Sequence, residues 1–245
     1  PGEVGNPPAT ALVQRRHHIP SDPSPLSMPD SPETGTVTSL EPQENDSSRV
    51  SVFVDGEFVL GAHEDVIVKH GVRVGTTLSP EDQRQIEQDD QYVRAKQQAL
   101  SYLAHKPRTE TEVRRKLRRN DTPDVVIEDV VARLYELEYL DDESYAQDYA
   151  RNRFASKQYG PLRIRRELTE RGIDRAIAER AVDDLFAEEN PLAAARHHAE
   201  KRWPRLADEE PRRRKQKMYR YLRRRGFSSD TIYTVLDELQ ADRPR

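Results

Sequence analysis

Along the second half of the chain, apolar residues recur in the pattern of paired helices. Leu117, Leu168 and Leu222 are each followed by a second leucine 17 residues later. An apolar residue also stands four positions before every one of these leucines, which is the spacing of a buried helix face. Short polar breaks, RRNDTP, ERGID and RRGFSS, separate the leucines of each pair. Each pair therefore predicts a helix, a turn and a second helix.

The polar breaks contain the residues expected at helix ends. Gly172 and Gly226 are predicted to follow the first helix of a pair, where the backbone turns left-handed and favours glycine. Thr122, Asp174 and Ser228 are predicted to cap the second helix, because a hydroxyl or carboxylate there accepts a hydrogen bond from an otherwise unpaired backbone N–H.

A further helix is predicted before each pair, at about 92–105, 143–157 and 191–203, with Leu103, Phe154 and Trp203 as core anchors. The whole unit repeats every 51 to 54 residues or so, and stacking such units extends a thin core. The sequence therefore predicts a mainly α protein. Its three tandem three-helix repeats form an elongated array and occupy residues 92–141, 142–189 and 190–245.

The residues before this array follow other patterns. In residues 50–60, VSVFVDGEFVL, two β-branched and aromatic runs flank Asp55 and Gly56, which predicts a β-hairpin. A short helix ending near Gly71 and another capped by Ser79 complete a predicted module at 49–91. Residues 1–48 are rich in Pro, Ser and acidic residues without periodicity, so a disordered tail is predicted there.

Composition narrows the classes of function. Of the 245 residues, 34% are hydrophobic and another 34% are charged, which fits several thin helical cores better than one thick core. The chain has no cysteine, so disulfides, thiolate nucleophiles and thiolate zinc sites are excluded. No run reaches the roughly 18 apolar residues of a membrane span, and no signal segment opens the sequence. A cytoplasmic protein without a membrane partner is expected.

Charge is divided unevenly along the chain. Residues 1–48 contain two basic and seven acidic residues, and residues 49–91 contain four basic and nine acidic ones. The remaining residues, 92–245, hold 34 basic against 28 acidic residues. An acidic front half joined to a basic back half indicates an anionic partner.

The densest positive charge lies in residues 212–226, RRRKQKMYRYLRRRG. With Leu222 in the core, four basic residues of this helix lie within about 40° of the opposite side. Residues 212–225 contain no acid that could pair at i+4, and like charges at that spacing destabilise a helix, which favours a binding surface over a merely solvated face. With their counterparts in the other repeats, the candidate binding residues are Arg115, Arg119, Arg163, Arg166, Arg213, Lys217, Arg220 and Arg224.

The sequence offers little for catalysis. It contains no phosphate-binding GxxxxGK[ST] loop, no GxGxxG and no HExxH. His197 and His198 point about 100° apart on a helix and lack carboxylates at ligand spacing, so no metal or cofactor is predicted. Asp141, Asp142 and Glu143 suit a metal-dependent nuclease less well than they suit the N-terminus of the following helix. A non-enzyme is expected.

Four segments resemble the RecX family of regulatory proteins. They are YLAHKPRTETEVRRKLRRND, LEYLDDESYAQDYARNR, YGPLRIRRELTERGID and YRYLRRRGFSSDTI, and the resemblance covers about residues 92–240. It implies a monomeric regulator that binds the groove of the RecA recombinase filament on single-stranded DNA. Such a regulator inhibits ATP hydrolysis, strand exchange and filament growth in recombinational repair and the SOS response. It further implies that the eight candidate basic residues contact the filament.

A direct, non-specific DNA-binding repeat protein is the alternative interpretation. The helix-turn-helix spacing would also permit sequence reading in the major groove. However, the third helix of each repeat is acidic, and its carboxylates would be repelled by the phosphates. Contact with DNA is therefore expected, if anywhere, on the basic middle helices.

Overall fold

The computed structural model describes residues 34–44 and 46–241, together with Gly2. The described chain begins with a small antiparallel sheet and continues as three helical units. The strands follow the order β3-β2-β1-β4 across the sheet. Their bounds are Gly35–Gln43 for β1, Asp46–Val54 for β2, Glu57–His63 for β3 and Thr77–Leu78 for β4.

The predicted hairpin is confirmed in strands β2 and β3. Asp55 and Gly56 connect them with φ angles of 51° and 88°, the left-handed conformation that a tight two-residue hairpin requires. The first helix, α1, spans Glu64–Lys69 and is followed by Gly71 at φ 63°, as predicted. These elements enclose a core of small aliphatic side chains beneath the sheet.

Strand β1 lies inside the segment predicted as a disordered tail, so that prediction is wrong from residue 35 onward. The strand pairs with β2 on one side and β4 on the other, and Val37 is fully buried beneath the sheet. The prediction rested on the average composition of 48 residues, which is rich in Pro and Ser. That average did not reflect the short run GTVTSL, whose β-branched residues favour a strand. The rest of the predicted tail, apart from Gly2 and Thr34, lies outside the described residues.

Helix α2 runs without interruption over Pro80–Ala104 and begins with the predicted Ser79 cap. The predicted boundary between residues 91 and 92 therefore falls inside a helix. Ile86 packs in the core of the sheet, whereas Ala95 and Ala99 pack in the core of the first helical unit. One helix thus belongs to both bodies.

A buried ion pair fixes α2 to the sheet. Arg49 on β2 donates to both carboxylate oxygens of Asp90 at 3.0 and 2.9 Å and to the Gly61 carbonyl at 2.7 Å. The backbone N–H of His63 donates to the same carboxylate at 2.8 Å. Because Asp90 is almost fully buried, these donors replace the water that the charge loses on folding.

The three predicted three-helix repeats are confirmed. Each unit packs a first helix, a middle helix and a third helix around one cluster of buried side chains. A short 3-10 helix, Pro204–Leu206, precedes the middle helix of the third unit. The first unit contains α2, α3 (Glu110–Arg118) and α4 (Asp124–Glu136); the second contains α5 (Asp142–Lys157), α6 (Pro161–Glu170) and α7 (Arg175–Glu188); the third contains α8 (Pro191–Arg202), α9 (Pro211–Arg225) and α10 (Ser229–Ala241).

Buried leucines and alanines form the cores of the units. Leu117, Leu168 and Leu222 on the middle helices are completely buried, as their spacing predicts. Each first helix buries a pair of alanines one turn apart, whereas the predicted aromatic and leucine anchors are only partly buried at the margin of each core. The three pairs are Ala95 with Ala99, Ala146 with Ala150, and Ala195 with Ala199.

Most of the predicted helix ends are confirmed. Gly172 and Gly226 have φ angles of 85° and 95°. Asp174 accepts hydrogen bonds from the first turn of α7, and Ser228 accepts one from the first turn of α10. Thr122 does not cap α4, because that helix begins after Pro123 without a side-chain cap.

The middle helices of neighbouring units meet end to end. At the junction of the second and third units, the backbone N–H of Gly160 donates to the Arg225 carbonyl at 2.8 Å, and that of Leu162 donates to the Gly226 carbonyl at 3.1 Å. The start of α6 thereby satisfies the end of α9, and the two helix dipoles align favourably. At the junction of the first and second units, the Thr109 hydroxyl donates to the Arg171 carbonyl and the Thr111 hydroxyl donates to the Gly172 carbonyl. Both acceptors follow directly after the end of α6.

Gly226→Ala should destabilise the protein more than Gly71→Ala. Both positions are left-handed, so each alanine costs about 1–2 kcal/mol of backbone strain. A Cβ at position 226 would also overlap the backbone N and Cβ of Arg163, whereas a Cβ at position 71 meets no atom within 4 Å. Urea unfolding followed by circular dichroism measures the difference, and equal losses would contradict the proposed close contact.

Candidate protein and nucleic-acid interface

Helix α9 holds its basic residues in a fixed orientation. It begins at Pro211, and the Glu210 carboxylate accepts hydrogen bonds from the first backbone N–H groups. Met218 and Leu222 are fully buried and set the rotation of the helix about its axis. Four candidate residues are exposed on the side facing away from this core, as the register predicts. They are Arg213, Lys217, Arg220 and Arg224, called here the α9 face.

The positive charge of α9 is largely uncompensated. The helix contains nine Lys and Arg residues, and within the described part of the chain only Lys217 forms an ion pair, with Glu209. Arg214 instead stacks on Trp203 at 3.9 Å and donates to its carbonyl at 2.9 Å. Because so few carboxylates are near, this helix presents a positive potential to any molecule that approaches.

The equivalent residues of the second unit are neutralised. Arg163 forms an ion pair with Glu167 at 2.9 Å, lies over the Tyr159 ring at 3.7 Å and donates to the Arg224 carbonyl at 3.1 Å. The prediction that Arg163 points freely outward is wrong, because the third unit covers it. Arg166 is exposed, but it pairs with Glu170 at 3.4 Å.

Glu167 is the carboxylate around which this junction is organised. It receives hydrogen bonds from Arg163 and from the Tyr149 hydroxyl, both at 2.9 Å, and pairs with Arg153 at 3.0 Å. Burial alone would raise the pKa of Glu167, but these hydrogen bonds and charges outweigh it and lower the pKa. The group therefore remains ionised and balances the surrounding arginines.

The middle helix of the first unit has both paired and unpaired basic residues. Arg115 and Arg119 are exposed as predicted, and neither pairs with a carboxylate in the described residues. Their neighbour Arg114 is held between Glu110 and Glu128, which raise its pKa. Two of the three middle helices therefore offer unpaired cations, and α9 offers the most.

One carboxylate of each third helix pairs with an arginine of its own unit. Glu128 pairs with a middle-helix arginine at 2.6 Å, Asp183 with Arg165 at 3.1 Å and Glu238 with Arg196 at 2.6 Å. These ion pairs link helices inside a unit. The acidic third helices thus lack the positive surface that insertion into a DNA groove requires.

The acidic residues at the start of α5 cap that helix and connect it to neighbouring helices. Asp141 caps the helix by accepting from the Ser144 N–H at 2.8 Å, and Asp142 accepts from the Glu110 N–H at 3.0 Å. Burial and nearby carboxylates raise the pKa of Asp142. Glu143 pairs with an arginine of α7. Among the described residues, no group of three or more His, Cys, Asp or Glu side chains is arranged to hold a metal ion.

Comparison with family models and known proteins finds matches over most of the chain. Residues 35–79 match the family model for the regulatory protein RecX N-terminal domain, and residues 95–134, 141–182 and 188–236 match the first, second and third RecX three-helix domains. The regulatory protein RecX of Clostridium acetobutylicum is 32% identical over 210 residues, which cover 84% of this chain and 97% of that protein. The chain belongs to the RecX family of regulatory proteins.

Other RecX proteins agree with this assignment. The Staphylococcus epidermidis protein is 32% identical over 83% of this chain and 75% of its own length. A crystal structure of a regulatory protein RecX superposes with a TM-score of 0.67 at 28% identity and covers 83% of this chain and 99% of its own. RecX from Lactobacillus salivarius gives a TM-score of 0.58 at 31% identity over 62% and 99%. The name of these relatives describes a regulatory protein.

The structure adds residues that the register argument missed. Arg212, Lys215 and Arg223 are also exposed on α9, although they lie outside the line opposite Leu222. Their charge is visible in the sequence, and none of the three pairs with a carboxylate in the described residues. In the part of the chain that the structure describes, no helix has the length and apolar character to cross a membrane.

Arg163→Ala should lower the free energy of unfolding by about 1–3 kcal/mol, because it leaves the partly buried Glu167 without one charged partner and removes the contact to Arg224. Arg166→Ala on the same helix should cost about 0.5 kcal/mol or less, since its ion pair is exposed. Chemical denaturation of both variants tests the two roles. Similar losses would mean that Arg163 is not a junction residue.

Proposed function

We propose that this RecX-family protein is a negative regulator of a RecA-type recombinase and that it binds the recombinase filament on single-stranded DNA. The observation that supports this most directly is the α9 face, an exposed cationic surface with one ion pair in the described chain. A cationic surface attracts acidic protein patches and nucleic acid, and a recombinase filament on DNA offers both.

The three-unit arrangement supports a footprint longer than one helix. Arg115 and Arg119 on α3 supply a second unpaired basic group, separated from the α9 face by the neutralised α6. Two basic groups on rigid units can contact two points of a repeating partner. Simultaneous contact strengthens binding, because the second contact is intramolecular. A protein bound in this way would oppose ATP hydrolysis, strand exchange and filament growth by holding neighbouring protomers in place.

Direct, non-specific DNA binding is the second candidate function, favoured by the same uncompensated charge. The two functions differ in their dependence on salt. Binding to several phosphates weakens steeply as salt rises, because each contact releases condensed counterions. A contact with the filament that includes apolar surface should weaken less. The ATPase rate of the cognate recombinase, titrated with this protein at two salt concentrations alongside binding to free DNA, separates them.

The double variant Arg220→Glu and Arg224→Glu should raise the concentration needed for half-inhibition of the recombinase ATPase by roughly tenfold or more, since it reverses two of the four charges of the α9 face. Both side chains are exposed opposite Leu222, so the circular dichroism spectrum should not change. The measurement is ATP hydrolysis by the cognate recombinase on single-stranded DNA.

The matched control is the double variant Arg73→Glu and Lys106→Glu. It changes the net charge by the same amount at two exposed positions outside the third unit, and it should inhibit within about twofold of the unmodified protein. Inhibition by the α9 variant that equals this control would refute the α9 face as the contact surface. An unmodified protein that never inhibits would refute the proposed function itself.

A further inference from the structure

A basic recess lies where the second and third units meet. It is enclosed by the end of α5, by α8 and by the last turn of α9, and its volume is about 500 Å³. This is within the range of small-molecule and group-binding sites, roughly 300–1,000 Å³. Its lining contains no Asp or Glu. The five basic residues that define this junction recess are Lys157, Lys201, Arg202, Arg205 and Arg225.

None of these five cations pairs with a carboxylate within 4 Å in residues 34–44 and 46–241. The other side of the same junction differs, because Arg153 and Arg163 there both pair with Glu167. Five like charges around one concavity repel one another, and the repulsion is relieved when an anion enters. The recess therefore has the electrostatics of an anion site.

Two of the arginines are held in place by aromatic rings. Arg202 lies over the Tyr221 ring at 4.7 Å, and Arg225 lies over the same ring at 5.2 Å and over Tyr159 at 5.5 Å. Stacking restricts guanidinium groups that would otherwise be mobile, so less entropy is lost when they bind a ligand. A planar guanidinium fixed in this way suits bidentate recognition of phosphate oxygens.

His198 lies against the wall of the recess. Its Nε2 is 3.1 Å from the Lys157 carbonyl and 3.0 Å from the Gln158 carbonyl, so this nitrogen carries the proton and donates. The histidine thereby ties α8 to the end of α5. Lys157 belongs to the second unit, and the other four cations belong to the third. A ligand in the recess consequently contacts both units.

We propose that the junction recess binds phosphodiester groups of a single-stranded polynucleotide. The ring of Tyr221 is already occupied by two guanidinium groups, which leaves phosphate rather than a stacked base as the expected ligand. A flexible single strand can direct successive phosphates into a concavity, and proteins that bind single strands combine such basic grooves with fixed side chains. The inference concerns the isolated protein and does not depend on recombinase regulation.

The test uses the double variant Lys201→Glu and Arg205→Glu in the full-length chain. Both side chains are exposed, so the substitutions leave the helical cores intact. Fluorescence anisotropy with a short labelled oligothymidylate, between about 50 and 200 mM salt, gives affinity and its salt dependence. The variant should bind at least about tenfold more weakly. The slope of log K against log salt should fall by about 1.4, since each lost phosphate contact removes about 0.7 from it.

Two further measurements locate the ligand. Lys157→Glu, on the second unit, should weaken binding roughly threefold or more if the strand spans both units. The control Arg73→Glu with Lys106→Glu should stay within about twofold of the unmodified protein. Equal affinity and slope for the recess variants and this control would overturn the proposal.

A competition experiment identifies the chemistry. Poly-glutamate of matched charge should displace the oligonucleotide poorly, because carboxylates spaced along a polypeptide lack the geometry of successive phosphodiesters. Equally effective displacement by poly-glutamate would overturn the assignment to phosphodiester groups. No recombinase is present in these measurements, so their outcome is independent of ATPase inhibition, and either proposal can fail while the other stands.

Discussion

The end-to-end contact between middle helices is the constraint on which the arrangement of the units depends. At Gly226 the backbone of α9 reaches the start of α6 so closely that a single added carbon would strike Arg163. The backbone groups left unpaired at both helix ends then bind one another. This contact sets the direction of α9 relative to the second unit. The exposure of the α9 face and the enclosure of the junction recess both follow from that direction.

Basic residues at equivalent positions of the middle helices are paired in one unit and unpaired in another, because the number of nearby carboxylates differs. In α6, Glu167 and Glu170 lie one turn after the two candidate arginines and neutralise them. In α9, no acid lies within the basic run itself, and the single ion pair comes from Glu209 outside it. Repetition of the fold therefore does not repeat the exposed positive charge. The second unit acts as a joint between two charged neighbours.

Features encoded by local spacing could be predicted from the sequence, whereas those created by distant contacts could not. The buried leucines, the hairpin at Asp55 and the cap at Asp174 depend on residues within a few positions of one another. Strand β1 depends on pairing with two other strands. The role of Arg163 depends on the Arg224 carbonyl, 61 residues away along the chain. The junction recess combines three separate stretches of the chain, so no single stretch of sequence reveals it.

The uninterrupted helix α2 has a mechanical consequence. Its 25 residues span about 37 Å at 1.5 Å per residue, with one end in the sheet core and the other in the first unit. The two bodies are thus joined by a stiff rod rather than by a loop, and a displacement of the sheet swings the first unit with it. Between the later units, short contacts at helix ends replace such a rod. Among the described helical units, a change of angle at either of these two junctions would alter the curvature of the array.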